Sequence, residues 1–443
     1  MDSLVHWKDK QDRKPLILFG ARQTGKTWIL KEFGKRYFKN VAYINCDNNA
    51  EIKELFAEDY NTDRIIMTIS AATNETIVPG NTLIILDEIQ ETKRGLASLK
   101  YFCEDAPEYH VAVAGSYLGI QLREGESYPV GKVDTLTLYP MDFEEFLNAK
   151  GETRLLEVLK HLDFQMISSL SSRFIQLLRE YYFVGGMPEA VKKFIQTKDP
   201  NAVREIQKEI LQAYRQDLSK HSPVKEVARI NQVWQSIPSQ LAKENKKFIY
   251  GALAKGARAK DYEIAIQWLI DSGLIYKVSR IKAAEIPLSN YEDISAFKLY
   301  MLDNGLLGAL GNTPAVSLLL PSGLGQSKEA FTENFVCAQI KEISDTTLGY
   351  FSKDNSRLEI DFVLQISDLV IPIEVKAEEN LKSKSLATFV KDNPKLRGIR
   401  FSMSNYREQE YLSNVPLYCC NTYLKALKKK REMEIQSALA RLI

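Results

Sequence analysis

At 443 residues the chain is too long for one ordinary hydrophobic core, which points to two to four domains. Hydrophobic residues at 45% and charged residues at 26% are the proportions of a soluble globular protein, not of a disordered or fibrous one. With 59 Lys and Arg against 57 Asp and Glu, the overall field does not demand nucleic acid, so any nucleic-acid surface has to be a local patch. No run approaches the roughly 18 apolar residues of a membrane span. The charged stretch Met1 to Lys14 also lacks a signal-peptide core, so a cytoplasmic location with no membrane partner is expected. Cys46, Cys103, Cys337, Cys419 and Cys420 are odd in number and show no C-x-x-C spacing, which argues against a disulfide framework or a zinc site. The four histidines (His6, His110, His161 and His221) are too scattered to suggest a ligand set.

From Lys14 to about Tyr139, short apolar runs alternate with helical segments. The expected strands are Leu16–Gly20, Val41–Asn45, Thr82–Asp87, Val111–Gly115 and Thr135–Tyr139, and Trp28–Tyr37 and Gly95–Ala106 read as helices between them. Such alternation predicts a parallel α/β sheet. From Pro140 to about His221 the pattern is mostly helical, broken at Gly185-Gly186-Met187-Pro188, as in a lid or connector. Phe248–Ala254, the turn Lys255-Gly256, Ala259–Ser272 and the strand-like Leu274–Ile281 follow in the order of a winged helix. Lys246, Lys247, Lys255, Arg258, Lys260, Lys277, Arg280 and Lys282 make that stretch locally basic. Beyond Phe297 an α+β pattern returns: strand Lys298–Leu302, helix Lys328–Ser344, strands Leu348–Ser352, Glu359–Gln365 and Leu369–Lys376, helix Ser383–Asn393 and strand Gly398–Ser402. The tail carries Lys428-Lys429-Lys430-Arg431 in a helical pattern, read as a solvated face.

Two motifs in the first section carry chemistry. Gly20-Ala21-Arg22-Gln23-Thr24-Gly25-Lys26-Thr27 is an uninterrupted GxxxxGK[ST] between an apolar strand and a helix. The glycines let successive backbone N–H groups curl toward a phosphate, Lys26 can reach the β- and γ-phosphates, and the Thr27 hydroxyl can ligate Mg²⁺. About 60 residues on, the apolar strand Thr82–Leu86 ends in Asp87-Glu88. Asp87 is placed to hold Mg²⁺ and Glu88 to polarise the attacking water. A third strand, Val111–Gly115, leads into Ser116, which is placed to face the γ-phosphate.

The order phosphate loop, Leu-Asp-Glu-Ile-Gln (86–90), Ala-Gly-Ser (114–116) and Leu-Tyr-Pro-Met-Asp-Phe-Glu-Glu-Phe-Leu (138–147) resembles a widespread family of prokaryotic AAA+-type ATPases. Those proteins fuse the ATPase core to a C-terminal domain. Val184–Glu189, Tyr300–Leu306, Thr332–Val336 and Ile373–Lys376 extend the resemblance along nearly the whole chain. It implies ATP rather than GTP, and no Asn-Lys-x-Asp guanine reader is present. One departure concerns the arginine finger: Lys132 stands after Gly131 where many relatives carry Arg, and Arg123 is a substitute. A homo-oligomeric neighbour or a protein partner is then expected to supply that group.

A third constellation lies far downstream. Asp361 sits in one strand, and Glu374 and Lys376, two apart, share a face of the next. Two carboxylates and a lysine suit divalent-metal phosphodiester hydrolysis, with a second Mg²⁺ or Mn²⁺ and Glu333 as an additional ligand. This is similar to the PD-(D/E)xK nuclease pattern. The expected architecture is therefore an α/β P-loop NTPase with a parallel sheet, a helical lid, a winged helix and a C-terminal α+β restriction-endonuclease-like domain. The expected boundaries are 1–140 for the ATPase core, 141–222 for the lid, 223–296 for the winged helix, 297–420 for the nuclease-like domain and 421–443 for the basic tail. Two outputs stay open: a nuclease-like domain acting on or holding DNA under ATP control, or an ATP-regulated interaction or signalling switch in which that domain is an inert scaffold.

Overall fold

Residues 1–58, 60–115, 129–243, 246–320, 328–353, 358–377 and 384–441 are described by the computed structural model. They divide into two compact units, residues 1–139 with 271–274 and residues 140–270 with 275–443. In the first unit the apolar runs become five strands: β1 (Leu16–Phe19), β2 (Asn40–Asn45), β3 (Thr82–Asp87), β4 (His110–Ala114) and β5 (Asp134–Thr137). All pair in parallel, in the order β2-β3-β4-β1-β5. Successive residues alternate between two cores. Ile17, Ile84, Leu86, Val111 and Val113 enter one face, and Leu16, Leu18, Leu83, Ile85, Ala112 and Ala114 enter the other. Burial on both faces explains why these strands are apolar throughout rather than every second residue.

Helices α1 (Asp2–Asp9) and α2 (Lys26–Tyr37) cover one face through Leu4, Trp7, Leu30 and Phe33. Helices α3 (Ala50–Glu58), α4 (Thr62–Thr73) and α5 (Gly95–Asp105) cover the other through residues such as Phe56, Ile65 and Phe102. Because the strands are parallel, the ends of β1 and β3 emerge at the same sheet edge, the usual place for ligands in such folds. Strand β4 separates them.

The second unit begins with helices. Asp142 caps α6 (Phe143–Ala149): its Oδ1 accepts from Glu145 N at 2.7 Å, and Glu145 Oε2 accepts from Asp142 N at 3.2 Å. Helix α7 (Ser171–Val184) ends at Gly185, α8 (Pro188–Thr197) starts on a proline, and α9 (Pro200–His221) follows. Two of the phrases that carried the family resemblance meet here. Asp303 Oδ2 accepts from Gly186 N at 2.6 Å and its Oδ1 from Leu306 N at 2.8 Å. A Cβ on Gly185 would lie 2.3 Å from Asp303 Oδ1, and one on Gly186 would lie 2.0 Å from Met141 O. The glycine pair thus permits backbone approach that any side chain blocks.

The remainder organises around one eight-stranded mixed sheet. Its strands are β6 (Ile275–Ile281), β7 (Glu292–Met301), β8 (Thr346–Ser352), β9 (Glu359–Ile366), β10 (Leu369–Val375), β11 (Gly398–Ser402), β12 (Arg407–Glu408) and β13 (Leu412–Pro416), in the order β12-β13-β11-β10-β9-β8-β6-β7. The winged-helix expectation is altered in three ways. The boundary at 296/297 falls inside β7, because one strand runs continuously from Glu292 to Met301. Strand β6, the strand expected over Leu274–Ile281, pairs in parallel with β8 and so belongs to the large sheet. The expected helix Phe248–Ala254 is a single 3₁₀ turn at Tyr250–Ala252, while an unexpected helix, α10, spans Val227–Leu241. Pro238 inside α10 concealed it, although Ile230, Val233, Trp234, Ile237 and Leu241 make a buried stripe at helical spacing. The expected basic helical tail is one helix over most of its length. It lies in α11 (Cys420–Leu439), where Arg431 donates to both oxygens of Asp368 at 2.7 and 2.6 Å.

Candidate functional site

The phosphate loop follows β1. Gly20 has φ +145°, and a Cβ there would lie 2.3 Å from Leu138 O. Gln23 (φ +66°) and Gly25 (φ +97°) are left-handed, which curls the intervening N–H groups to one side. Gly25 caps α2 without a side-chain bond, and the first turn of α2 holds no acid. That leaves first-turn N–H groups facing the loop, where an anion is favoured. Lys26 is 6% exposed and its Nζ donates to Gly20 O and Ala21 O, each at 2.8 Å. Burial pushes its amine down to about 8, against the opposing pull of Glu88 and Asp87. The Thr24 hydroxyl donates to Ala21 O at 2.8 Å and closes the loop.

Thr27 and Asp87, 60 residues apart in sequence, meet directly: Thr27 Oγ1 donates to Asp87 Oδ2 at 2.6 Å. A hydroxyl and a carboxylate side by side are hard oxygen donors of the kind Mg²⁺ prefers, with positions left for water and phosphate. Tyr43, on the neighbouring β2, donates to the same Asp87 oxygen at 3.2 Å. Burial, then the charge of Asp87, pushes the Tyr43 phenol up to about 12, so it stays a donor. Sequence reasoning missed Tyr43; the parallel register that sets Asn45 opposite Asp87 brings it there. Glu88 leaves the strand at φ +52° and its Oε2 accepts from Gln90 Nε2. Such a left-handed turn is uncommon for a non-glycine residue, and it turns this carboxylate out of the strand.

Ser116 and Arg123 lie outside the described residues, although β4, which leads to Ser116, does sit between β1 and β3. Lys132 is committed elsewhere, with its Nζ 2.8 Å from Glu104 Oε1.

The downstream carboxylates come together differently from the expectation. In the antiparallel pair, Ile373 faces Phe362, which puts Glu374 opposite Asp361 one step on. Asp361 Oδ2 accepts from Val375 N at 2.8 Å, and burial followed by the charge of Glu333 pushes its carboxyl up to about 7. Lys376 Nζ lies 3.1 Å from Glu374 Oε1. Glu333, however, is occupied by lysines. Its Oε1 accepts from Lys246 Nζ at 2.7 Å, its Oε2 accepts from the Tyr300 hydroxyl at 3.0 Å, and Lys298 Nζ lies 3.9 Å from that oxygen. Lys298 also reaches Glu359 Oε1 at 2.7 Å. Burial alone disfavours the charge on Lys298, but Glu333, Glu359 and Asp361 outweigh it and raise its amine. Burial likewise opposes the Glu333 charge, and Lys298 and Lys246 outweigh it and lower its carboxyl.

Lys246, Lys298 and Lys376 are thus interleaved with the carboxylates of Glu329, Glu333, Glu359, Asp361 and Glu374. Among the described residues no three acidic, histidine or cysteine side chains form a ready-made metal-ligand set, and of the expected set Glu333, Asp361 and Glu374, Glu333 sits in a buried ion-pair network with Lys246 and Lys298. Lys246 is corrected too: it belongs to this interior and not to a basic surface. Arg280, from the same expected patch, pairs with Asp293 at 2.5 Å. The one available sequence signal was Lys298 itself, a lysine inside the apolar strand Phe297–Met301.

Three family models match the chain. An AAA domain matches residues 12–147, a domain of unknown function (DUF8612) matches residues 175–317, and another (DUF4143) matches residues 328–420. Among solved structures, the Walker-type ATPase PABY2304 of Pyrococcus abyssi aligns over 70% of this chain and 95% of its own, at 15% identity and a TM-score of 0.45. No curated protein matches. The AAA-domain match and the parallel five-stranded sheet together make the first unit an α/β fold of the P-loop ATPase type. The second holds a separate mixed sheet, and among the described residues no helix is long and apolar enough to cross a membrane.

Proposed function

We propose that the first unit binds ATP at Gly20–Thr27 and hydrolyses it with Mg²⁺, and that this reaction sets the state of the second unit. The observation that carries the reading is the direct Thr27–Asp87 bond beside the buried Lys26 amine. The loop amides hold the phosphates and Lys26 neutralises the β/γ pair. Thr27 and Asp87 would hold Mg²⁺, which would supply stabilisation of the charge that develops on the phosphates. Glu88, steadied by Gln90, orients water for in-line attack on the γ-phosphorus as the bond to the β–γ bridging oxygen breaks. Ser116 senses the γ-phosphate in this scheme, and an arginine from a neighbouring copy or a partner protein completes the charge stabilisation. Lys26→Ala tests the core of it: nucleotide binding or turnover is expected to disappear, and normal turnover in that variant would refute the assignment.

For the second unit, the lysine-paired carboxylates favour the second output, an ATP-regulated interaction or signalling switch built on a nuclease-like scaffold. Contact with DNA is retained in the proposal; cleavage is not its expected outcome. Linear and plasmid DNA incubated with Mn²⁺ should stay intact with the wild type and with Glu374→Ala alike. Cutting by the wild type that Glu374→Ala abolishes would restore the nuclease reading, with Asp361, Glu374 and Lys376 as its catalytic residues.

A further inference from the structure

Of the four tryptophans, all among the described residues, Trp7, Trp234 and Trp268 are buried at 3%, 0% and 6% exposure, whereas Trp28 is 66% exposed. Trp28 directly follows Thr27 and occupies the third position of α2, in the turn whose N–H groups face the loop. Helical side chains lean toward the N-terminus of their helix, so the indole leans over that same turn. One residue advances about 100° round the helix. Thr27 points to Asp87 and Lys26 points inward, which leaves Trp28 on a third side of the helix, open to solvent. The γ end of a bound triphosphate is fixed by Thr27, Asp87 and Glu88, so its other end leaves the loop away from them. First-turn helix positions ordinarily favour Asp or Glu, yet this one has no acid to repel a polyphosphate and carries a large apolar ring instead.

We propose that the Trp28 indole is the surface on which the base of the bound nucleoside triphosphate stacks. The proposal rests on the first unit binding such a ligand at Gly20–Thr27. An indole offers its ring face and does not read the hydrogen-bonding edge of the base. Trp28 therefore adds affinity for ATP and GTP alike, and any choice between them is made by other residues.

The test compares ATP with inorganic tripolyphosphate, which has the phosphates and no base, on the full chain. Trp28→Ala should weaken ATP binding about tenfold, equivalent to about 1.4 kcal/mol, and leave tripolyphosphate within about twofold. Trp28→Phe should retain most of the ATP affinity. In the wild type, ATP should shield Trp28 fluorescence from acrylamide and tripolyphosphate should not, a readout that needs no variant. The proposal is overturned by unchanged ATP affinity in Trp28→Ala, by equal weakening of both ligands, or by shielding that follows protein concentration instead of nucleotide, which would make the indole a contact between copies. Failure of the underlying site is recognised separately: Lys26→Ala would then leave binding of both ligands unchanged.

Discussion

Removing the Glu333 carboxylate should unfold the second unit more readily. Lys246 and Lys298 have side chains only 7% and 1% exposed, and both lie against Glu333. Glu333→Ala takes from Lys246 its close, buried partner and leaves it only the exposed Glu329 at 3.7 Å, while Lys298 keeps Glu359. Breaking one side of a buried ion pair costs about 3–5 kcal/mol, because a charge stays buried without compensation. Set against a total stability of about 5–15 kcal/mol, that is roughly a fifth or more of what a typical domain has. A large domain shifts by about 2–4 °C per kcal/mol, so thermal unfolding should move down by on the order of 10 °C. Urea titration should show a matching drop in midpoint. Pairing the change with Lys246→Met should recover part of the loss, since the second variant removes the lysine left without its close partner. The opposite logic governs a carboxylate cluster that awaits a divalent ion: its acids repel one another, removing one raises the midpoint, and millimolar Mn²⁺ raises the wild-type midpoint. An unchanged or raised midpoint in Glu333→Ala would therefore refute the ion-pair reading.

The remaining expectations concern the first unit. Glu88→Gln should keep ATP affinity and lower turnover by about 10²–10⁴-fold, the usual weight of a group that orients or deprotonates a nucleophile; single-turnover phosphate release measures it, and retained turnover would remove Glu88 from the scheme. Gly20→Ala places a Cβ 2.3 Å from Leu138 O at φ +145°, so nucleotide binding should weaken and strain of at least about 1–3 kcal/mol should appear in unfolding curves. A variant as stable and as tightly binding as wild type would contradict the loop geometry. Lys26 titrates near 8 in the protein and is raised by bound phosphate, so protons are taken up on binding above that pH. Affinity should be flat with respect to this group below about pH 8 and fall by up to about tenfold per unit above it, as linkage requires. Calorimetry in buffers of different ionisation enthalpy checks the proton uptake, and its absence at pH 9 would remove Lys26 as the titrating group.

The residues of the phosphate loop were legible because they are contiguous. Gly20 to Thr27 carries its geometry in eight consecutive positions, and the apolar runs on either side of it and before Asp87 announce buried parallel strands. Tyr43 was not legible, since its role depends on which strand lies beside β3 and in what register. The helix Val227–Leu241 was obscured by a proline in its last turn. The strand-like Leu274–Ile281 read correctly as local β structure, but nothing in its own residues says that β6 pairs with β8 about 70 positions later.

The same division runs through the two acidic sites. From sequence alone follow a phosphate-binding loop, an Asp-Glu strand end and a Glu-x-Lys strand, because each is a local pattern whose spacing sets which side chains share a face. Tertiary structure alone decides what those acids face. Asp87 meets a hydroxyl and a phenol, and it keeps its capacity for a cation. Glu333 meets two lysines drawn from positions 87 and 35 residues away, and its charge is already spent. Charge compensation acts through space over a few ångströms, and only the folded chain brings those partners within that distance.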